Sequence, residues 1–140
     1  MKIKDPRPEG ASWVSPYLTV KDCVKATEFY EKAFGFQKKN SMPGEDEVIQ
    51  HVEMNYQDIL VMFGREGGFG CTVKTPANSK AECPISLYFY CPDADQLFER
   101  AKKAGAQVIR EPEDMFWGDR MAQVKDLDGY SWNFATHLES

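Results

Sequence analysis

Residues able to hold a metal or a ligand are sparse in this chain, and their spacing limits the chemistry they can do. His51 and Glu53 stand two apart in the run EVIQHVEMNY, whose alternation predicts a β-strand. Both side chains would then project from one face. His137, near the end of the chain, would complete a facial set of two imidazoles and one carboxylate, which suits a divalent transition metal. The competing reading is a solvated strand face and a frayed end. Tyr17, Tyr88 and Tyr90 could clamp a planar ligand, each good ring pair adding about 0.5–1.5 kcal/mol beyond burial. They could equally fill space between packed elements. Phe116 and Trp117 precede Gly118 and could roof a cleft, anchor a partner subunit or close the core from below. Arg120 could offer its planar fork to an anion, or brace the hairpin through Asp119, Asp126 or Asp128. Cys23, Cys71, Cys83 and Cys91 have no CxxC spacing and fit no zinc pattern. They are expected to be reduced thiols of a cytoplasmic protein, with Cys91 a small core residue. No serine of the predicted strands has a histidine in a register that would make it a nucleophile.

The totals narrow the class. A chain of 140 residues with 42% hydrophobic and 13% aromatic residues makes one domain with a sizeable core. A net charge of −5, with no basic cluster longer than two lysines, argues against a nucleic-acid partner. The opening MKIKDPRPEGAS lacks the apolar stretch of a signal peptide, and no run reaches membrane-spanning length. No membrane association is expected.

The elements that must position these residues follow in order. Residues 1–11 read as an arm. Residues 12–20 alternate as a strand, with Ser15, Tyr17 and Thr19 on one face. Asp22 can cap a helix over 23–34, and Gly35 can end it. Residues 36–46 are polar; 47–56 and 58–63 are strands. Residues 64–83 lose all periodicity and read as a mobile connection. Residues 84–91 alternate again, with Ser86, Tyr88 and Tyr90 together. Asp93 caps a helix over 94–104, and Gly105 ends it. A short strand, QVIRE, and a Pro-Glu-Asp loop lead to a hairpin around Asp128-Gly129, since glycine accepts the turn's positive φ. In its last strand Trp132 and Phe134 take one face; Ser131, Asn133 and Ala135 take the other.

The second half repeats the first. Ser15-Pro-Tyr17-Leu-Thr19 corresponds to Ser86-Leu-Tyr88-Phe-Tyr90, and 58–62 to 129–133, both at an offset of 71. Each half reads strand, helix and three strands. A fixed period marks modules that each leave a hydrophobic face bare. The expected fold is α+β: two βαβββ modules, 12–65 and 84–137, joined by 66–83, with curved mixed sheets around a cleft and helices on their outer faces.

These features resemble the glyoxalase / bleomycin-resistance / extradiol-dioxygenase group, the vicinal oxygen chelate superfamily. Val20-Lys-Asp22, Phe29-Tyr30, Phe34-Gly35 and the stretch from Phe116 to His137 carry the resemblance, the last being similar to the demethylubiquinone-methyltransferase-like subgroup. The resemblance implies a cleft that binds a small molecule, with or without a divalent metal. Carried over by the repeat, the superfamily's metal-ligand positions fall on Ser15, Met62, Ser86 and Asn133. None is a usual ligand for zinc, nickel or iron. The expectation is therefore a small-molecule binding protein with no metal and no cofactor, sequestering an aromatic toxin or antibiotic. Its ligand residues would be Ser15, Tyr17, Met62, Ser86, Tyr88, Tyr90, Phe116, Trp117, Arg120, Ser131 and Asn133. Two alternatives stand beside it: a divergent metal-dependent lyase, isomerase or dioxygenase using His51, Glu53 and His137, and a dimer whose cleft is filled by its own side chains. The resemblance also implies a homodimer.

Overall fold

A computed structural model describes residues 4–138. The chain runs β1 (Tyr17–Val20), α1 (Cys23–Phe34), β2 (Gln37–Pro43), β3 (Ile49–Tyr56) and β4 (Ile59–Arg65). A single 3-10 turn (Gly68–Gly70) and a short helix α2 (Pro76–Ser79) follow. Then come β5 (Ser86–Tyr90), α3 (Ala94–Lys103), β6 (Gln107–Asp114), β7 (Asp119–Lys125) and β8 (Ser131–His137). The two sheets have orders β1-β4-β3-β2 and β5-β8-β7-β6, which is the tandem βαβββ arrangement. The repeat is visible in the parallel registers: Tyr17 lies opposite Met62 and Tyr88 opposite Asn133, the second pair displaced from the first by 71 residues.

Local sequence explains the elements. Asp22 accepts from the backbone amides of Val24 and Lys25, and Asp93 from that of Gln96, so each long helix starts on a carboxylate cap. Each sheet buries one face. Leu18, Val20, Val52, Met54, Val61 and Phe63 of the first, and Phe89, Ala122, Val124, Trp132 and Phe134 of the second, belong to one continuous core. Three expectations need adjusting. The first strand begins at Tyr17, leaving Ser15 and Pro16 ahead of it. The polar stretch after Gly35 holds the edge strand β2, whose mostly exposed residues show no alternation because neither face is buried. The last βαβββ unit has a longer β6 than QVIRE, running through Pro112 with register shifts that an edge strand tolerates.

The modules share their interior. Each helix covers one face of its own sheet, and both covered faces meet in the same core. Tyr30 of α1 lies 5.6 Å from the ring of Phe63 in the first sheet and 5.5 Å from that of Trp132 in the second. Phe34 stands 5.3 Å from Trp132 and 5.4 Å from Phe89. The helices therefore lie between the sheets, and the helix-free faces are directed away from each other.

Polar contacts lock this packing. The buried Asp126 carboxylate accepts from Tyr30 Oη (2.6 Å), Trp132 Nε1 (2.8 Å) and the amides of Asp128 (2.9 Å) and Tyr130 (3.0 Å). Asp128 accepts from the Lys21 amide, and Tyr130 Oη both donates to and accepts from the Thr19 backbone. The 64–83 connection is also held: the Ala77 amide donates to Asp128 O, and Thr75, fully buried, caps α2 through Asn78. A side chain at Gly129 would come within 3.0 Å of the Ala77 nitrogen, so glycine serves this contact as well as the turn.

Two outcomes follow for stability. Asp126→Ala strands the Tyr30 hydroxyl and Trp132 indole without an acceptor, each at about 1–3 kcal/mol, and denaturant unfolding should show a loss of about 3 kcal/mol. Burial lifts Asp128 from 3.8 to about 6, so the folded state holds this proton more tightly than the unfolded chain. That contribution is complete below the unfolded value and fades as pH rises through about 6. Compared with the wild type, Asp128→Asn should flatten the fall in the urea midpoint across this window.

Candidate functional site

The helix-free face of the second sheet gathers a polar and aromatic cluster around Asp119. Its carboxylate begins β7, is 1% exposed, and points to the same side as Met121 and Gln123. Tyr88 Oη donates to Asp119 Oδ2 at 2.5 Å, Tyr90 Oη at 3.0 Å and Trp117 Nε1 at 3.1 Å. His137 Nδ1 is 2.9 Å from the other oxygen. With four donors on one carboxylate, the charged form is strongly favoured, and the hydrogen bonds from Tyr88 and His137 foremost hold its pKa at about 2. The Tyr88 hydroxyl is correspondingly pushed up to about 12, chiefly by burial and then by its bond to Asp119. Two tyrosine rings, 5.7 Å apart and edge to face, are thus fixed upright while remaining 42% and 56% exposed. Trp117 is braced from the β6–β7 loop, and Phe116 packs on its edge at 5.0 Å, fully open to solvent.

The first sheet carries a different set at equivalent strands. Tyr17 Oη meets His51 Nδ1 at 3.0 Å, and His51 Nε2 meets Glu53 Oε2 at 3.1 Å. The Tyr17 and His51 rings stack with centroids 5.6 Å apart. Burial first raises the Tyr17 pKa, so the phenol stays protonated. Gly64 permits this approach: a Cβ there would stand 2.7 Å from the Tyr17 hydroxyl. The hydrogen-bonded order phenol, imidazole, carboxylate is one that can pass a proton.

The predicted residues divide accordingly. Tyr88, Tyr90 and Trp117 come together on the second sheet, while Tyr17 and Met62 lie across from each other on the first. Ser86 and Ser131 flank the same β5–β8 pair. Asn133 is 6% exposed, and its amide donates to Leu87 O, so it supports the sheet beneath the tyrosines. Ser15 is outside the strands. Arg120 turns to the helix side, where it pairs with Asp95 of α3 and Asp114 of β6, not with Asp119, Asp126 or Asp128. One odd-even step along β7 separates it from Asp119, which explains the opposite faces. Among the described residues, the shared core stands between the two tyrosine faces. Asp119 is the residue the sequence reading missed. Its alternation with Met121 and Gln123 along β7 is the signal that could have found it, whereas the sequence offered it only as a brace for Arg120.

The metal sets can be tested on donor chemistry. Met62 offers a thioether and Asn133 a neutral amide, neither of them a usual ligand for a divalent transition-metal ion. His51 has both ring nitrogens engaged. His137 is bound to Asp119 on the other sheet, and the structure does not bring it to His51 and Glu53. Among the described residues, no three of His, Cys, Asp or Glu converge on a point that could hold a metal.

Comparison with known proteins agrees with the architecture. Residues 11–134 match the family model of the Glyoxalase/Bleomycin resistance protein/Dioxygenase superfamily, and the chain belongs to that superfamily. It is 34% identical over 122 residues to the uncharacterized protein Mb0911c of Mycobacterium bovis, covering 86% of this chain and 80% of that one. The crystal structure of TioX from Micromonospora sp. ML1 is similar with a TM-score of 0.71 and 26% identity, covering 91% of this chain and all of that one. The fosfomycin resistance protein FosX from Listeria monocytogenes, complexed with Mn(II) and dihydroxypropylphosphonic acid, shares the fold. Its TM-score is 0.67 at 15% identity, over 88% of this chain and 87% of FosX. No helix among the described residues is long and apolar enough to cross a membrane.

The depressed Asp119 value gives a pH signature. Its hydrogen bonds are complete above the ordinary carboxylate range and are lost as pH falls toward about 2. The Trp117 fluorescence should therefore change between these limits, and Asp119→Asn should abolish that change; Trp117→Phe identifies the signal.

Proposed function

We propose that this protein binds a small, flat, partly aromatic molecule on the Tyr88–Tyr90–Trp117 wall, without a resident metal. The observation that carries the reading is the four-donor clasp of Asp119, which keeps exposed aromatic side chains upright on a helix-free sheet face. Rings held rigidly in advance lose little entropy on stacking against a ligand. The thioether of Met62 and the neutral amide of Asn133 support the metal-free part. Sequestration of an antibiotic or aromatic toxin is the specific form of this reading.

A second copy of the chain completes the site. The two helix-free faces are equivalent by the repeat but turned apart within one chain, so the first sheet of one copy can close over the second sheet of another. β1 and β5 are end strands of their sheets, and Trp13, Val14 and Ile85 beside them are 71%, 87% and 69% exposed. Apolar residues so placed favour a covered interface. Phe116, 97% exposed at the rim of the wall, fits either a partner contact or the ligand. A cytoplasmic location suits the four free thiols.

A divergent isomerase, lyase or dioxygenase is the second reading, and the Tyr17–His51–Glu53 chain favours it. Calorimetry with divalent ions separates the two. The binding reading expects no stoichiometric uptake of a divalent ion, and uptake that His51→Ala removes would favour the enzyme. Sedimentation should give a particle of twice 16.0 kDa. Native mass spectrometry of the freshly purified dimer should reveal a co-purifying aromatic molecule. Trp117→Ala should weaken its retention about tenfold, the loss of one aromatic contact.

A further inference from the structure

The 64–83 connection folds over the ends of β1 and β4 and lines an open recess of about 470 Å³. The parallel ladder sets Val20 opposite Arg65, which brings Lys21 beside Arg65 and Glu66. The connection adds Cys71, Lys74 and Asn78. Asn78 Nδ2 donates to Glu66 Oε2 at 2.8 Å, so the single lining carboxylate is already engaged. Lys21, Arg65 and Lys74 make no ion pair among the described residues. In a chain of net charge −5, this cavity carries two positive charges in excess. Three cations that make no ion pair among the described residues line one recess open to solvent, and an anion held among them would relieve their mutual repulsion.

The positions are held by the fold. Arg65 ends β4, and the Glu66 amide extends the ladder by donating to Val20 O at 2.7 Å. Lys74 precedes the buried Thr75, and the connection is tied to the 126–130 turn through Ala77. A segment whose sequence suggested a mobile join is therefore pinned on both sides of the cavity.

We infer that this cavity is an anion site for a small molecule bearing a phosphate group, its dianion matched by Lys21, Arg65 and Lys74. Arg65 supplies the planar fork and the two lysines supply point charges. Cys71 lines the same recess.

Cys71 is a built-in reporter. Cys83, equally half-exposed and outside the cavity, is the reference in the same chain. The full-length protein is alkylated with iodoacetate or iodoacetamide, and each thiol is quantified by peptide mass spectrometry. Attraction of the anionic reagent should raise the iodoacetate-to-iodoacetamide ratio about tenfold at Cys71 over Cys83 at low salt. Millimolar inorganic phosphate should protect Cys71 and not Cys83. Chloride at matched ionic strength and acetate should protect it less. Arg65→Gln and Lys74→Gln should each remove most of the preference and the phosphate protection. If Arg65→Gln does not fold, Lys74→Gln, on an exposed position of the connection, decides alone. Equal ratios at the two cysteines overturn the inference, as does protection by chloride or acetate equal to that by phosphate.

Discussion

One carboxylate joins the two halves of this molecule. Asp126 sits in the turn of the last hairpin, yet its strongest partners are Tyr30 on the first module's helix and Trp132 on the second module's central strand. Burial pushes its pKa up, and the hydrogen bonds from Tyr30, Trp132 and the amides of Tyr130 and Asp128 pull against that shift. The aromatic core is arranged around this point. Tyr30 and Trp132 both touch Phe34 and Phe36, and these reach Phe89. Hydrophobic burial supplies the energy, but it is non-directional. The buried carboxylate supplies direction, fixing which helix face meets which sheet.

That constraint decides where chemistry can occur. Because the covered faces of both sheets are consumed by the shared core, the helix-free faces are the only sheet faces left open to ligands. Each has acquired its own network: Tyr17, His51 and Glu53 on one, and Tyr88, Tyr90, Trp117, Asp119 and His137 on the other. Neither face holds a cluster of usual metal donors among the described residues. The tyrosines stand in matching register and are anchored by different partners.

Much of this was legible in the sequence, for identifiable reasons. Alternation in PISLYFYC and in YSWNFA assigns faces, and the structure buries Phe89, Trp132 and Phe134 while exposing Tyr88 and Tyr90. The offset of 71 survives as strand register. What alternation within a strand does not encode is which side of a module faces its twin, and the packing of Tyr30 and Phe34 against the second sheet supplies that. Edge strand β2 was hidden because exposed strands carry no hydrophobic signal. Arg120 and Asp119 are sequence neighbours, and only the strand's pleat sends one to α3 and the other to the aromatic wall.

The repeat has a consequence for how the two surfaces change over time. A substitution in the common interior, at Tyr30 or Trp132, is felt by both modules at once and is held in check by both. The exterior positions have no such coupling. Met62 and Asn133 occupy corresponding places, as do Thr19 and Tyr90, yet they differ in size and polarity. Duplication thus left a frame that resists drift and two faces free to specialise separately, so a chamber lined by one of each would be chemically lopsided even in a symmetric assembly.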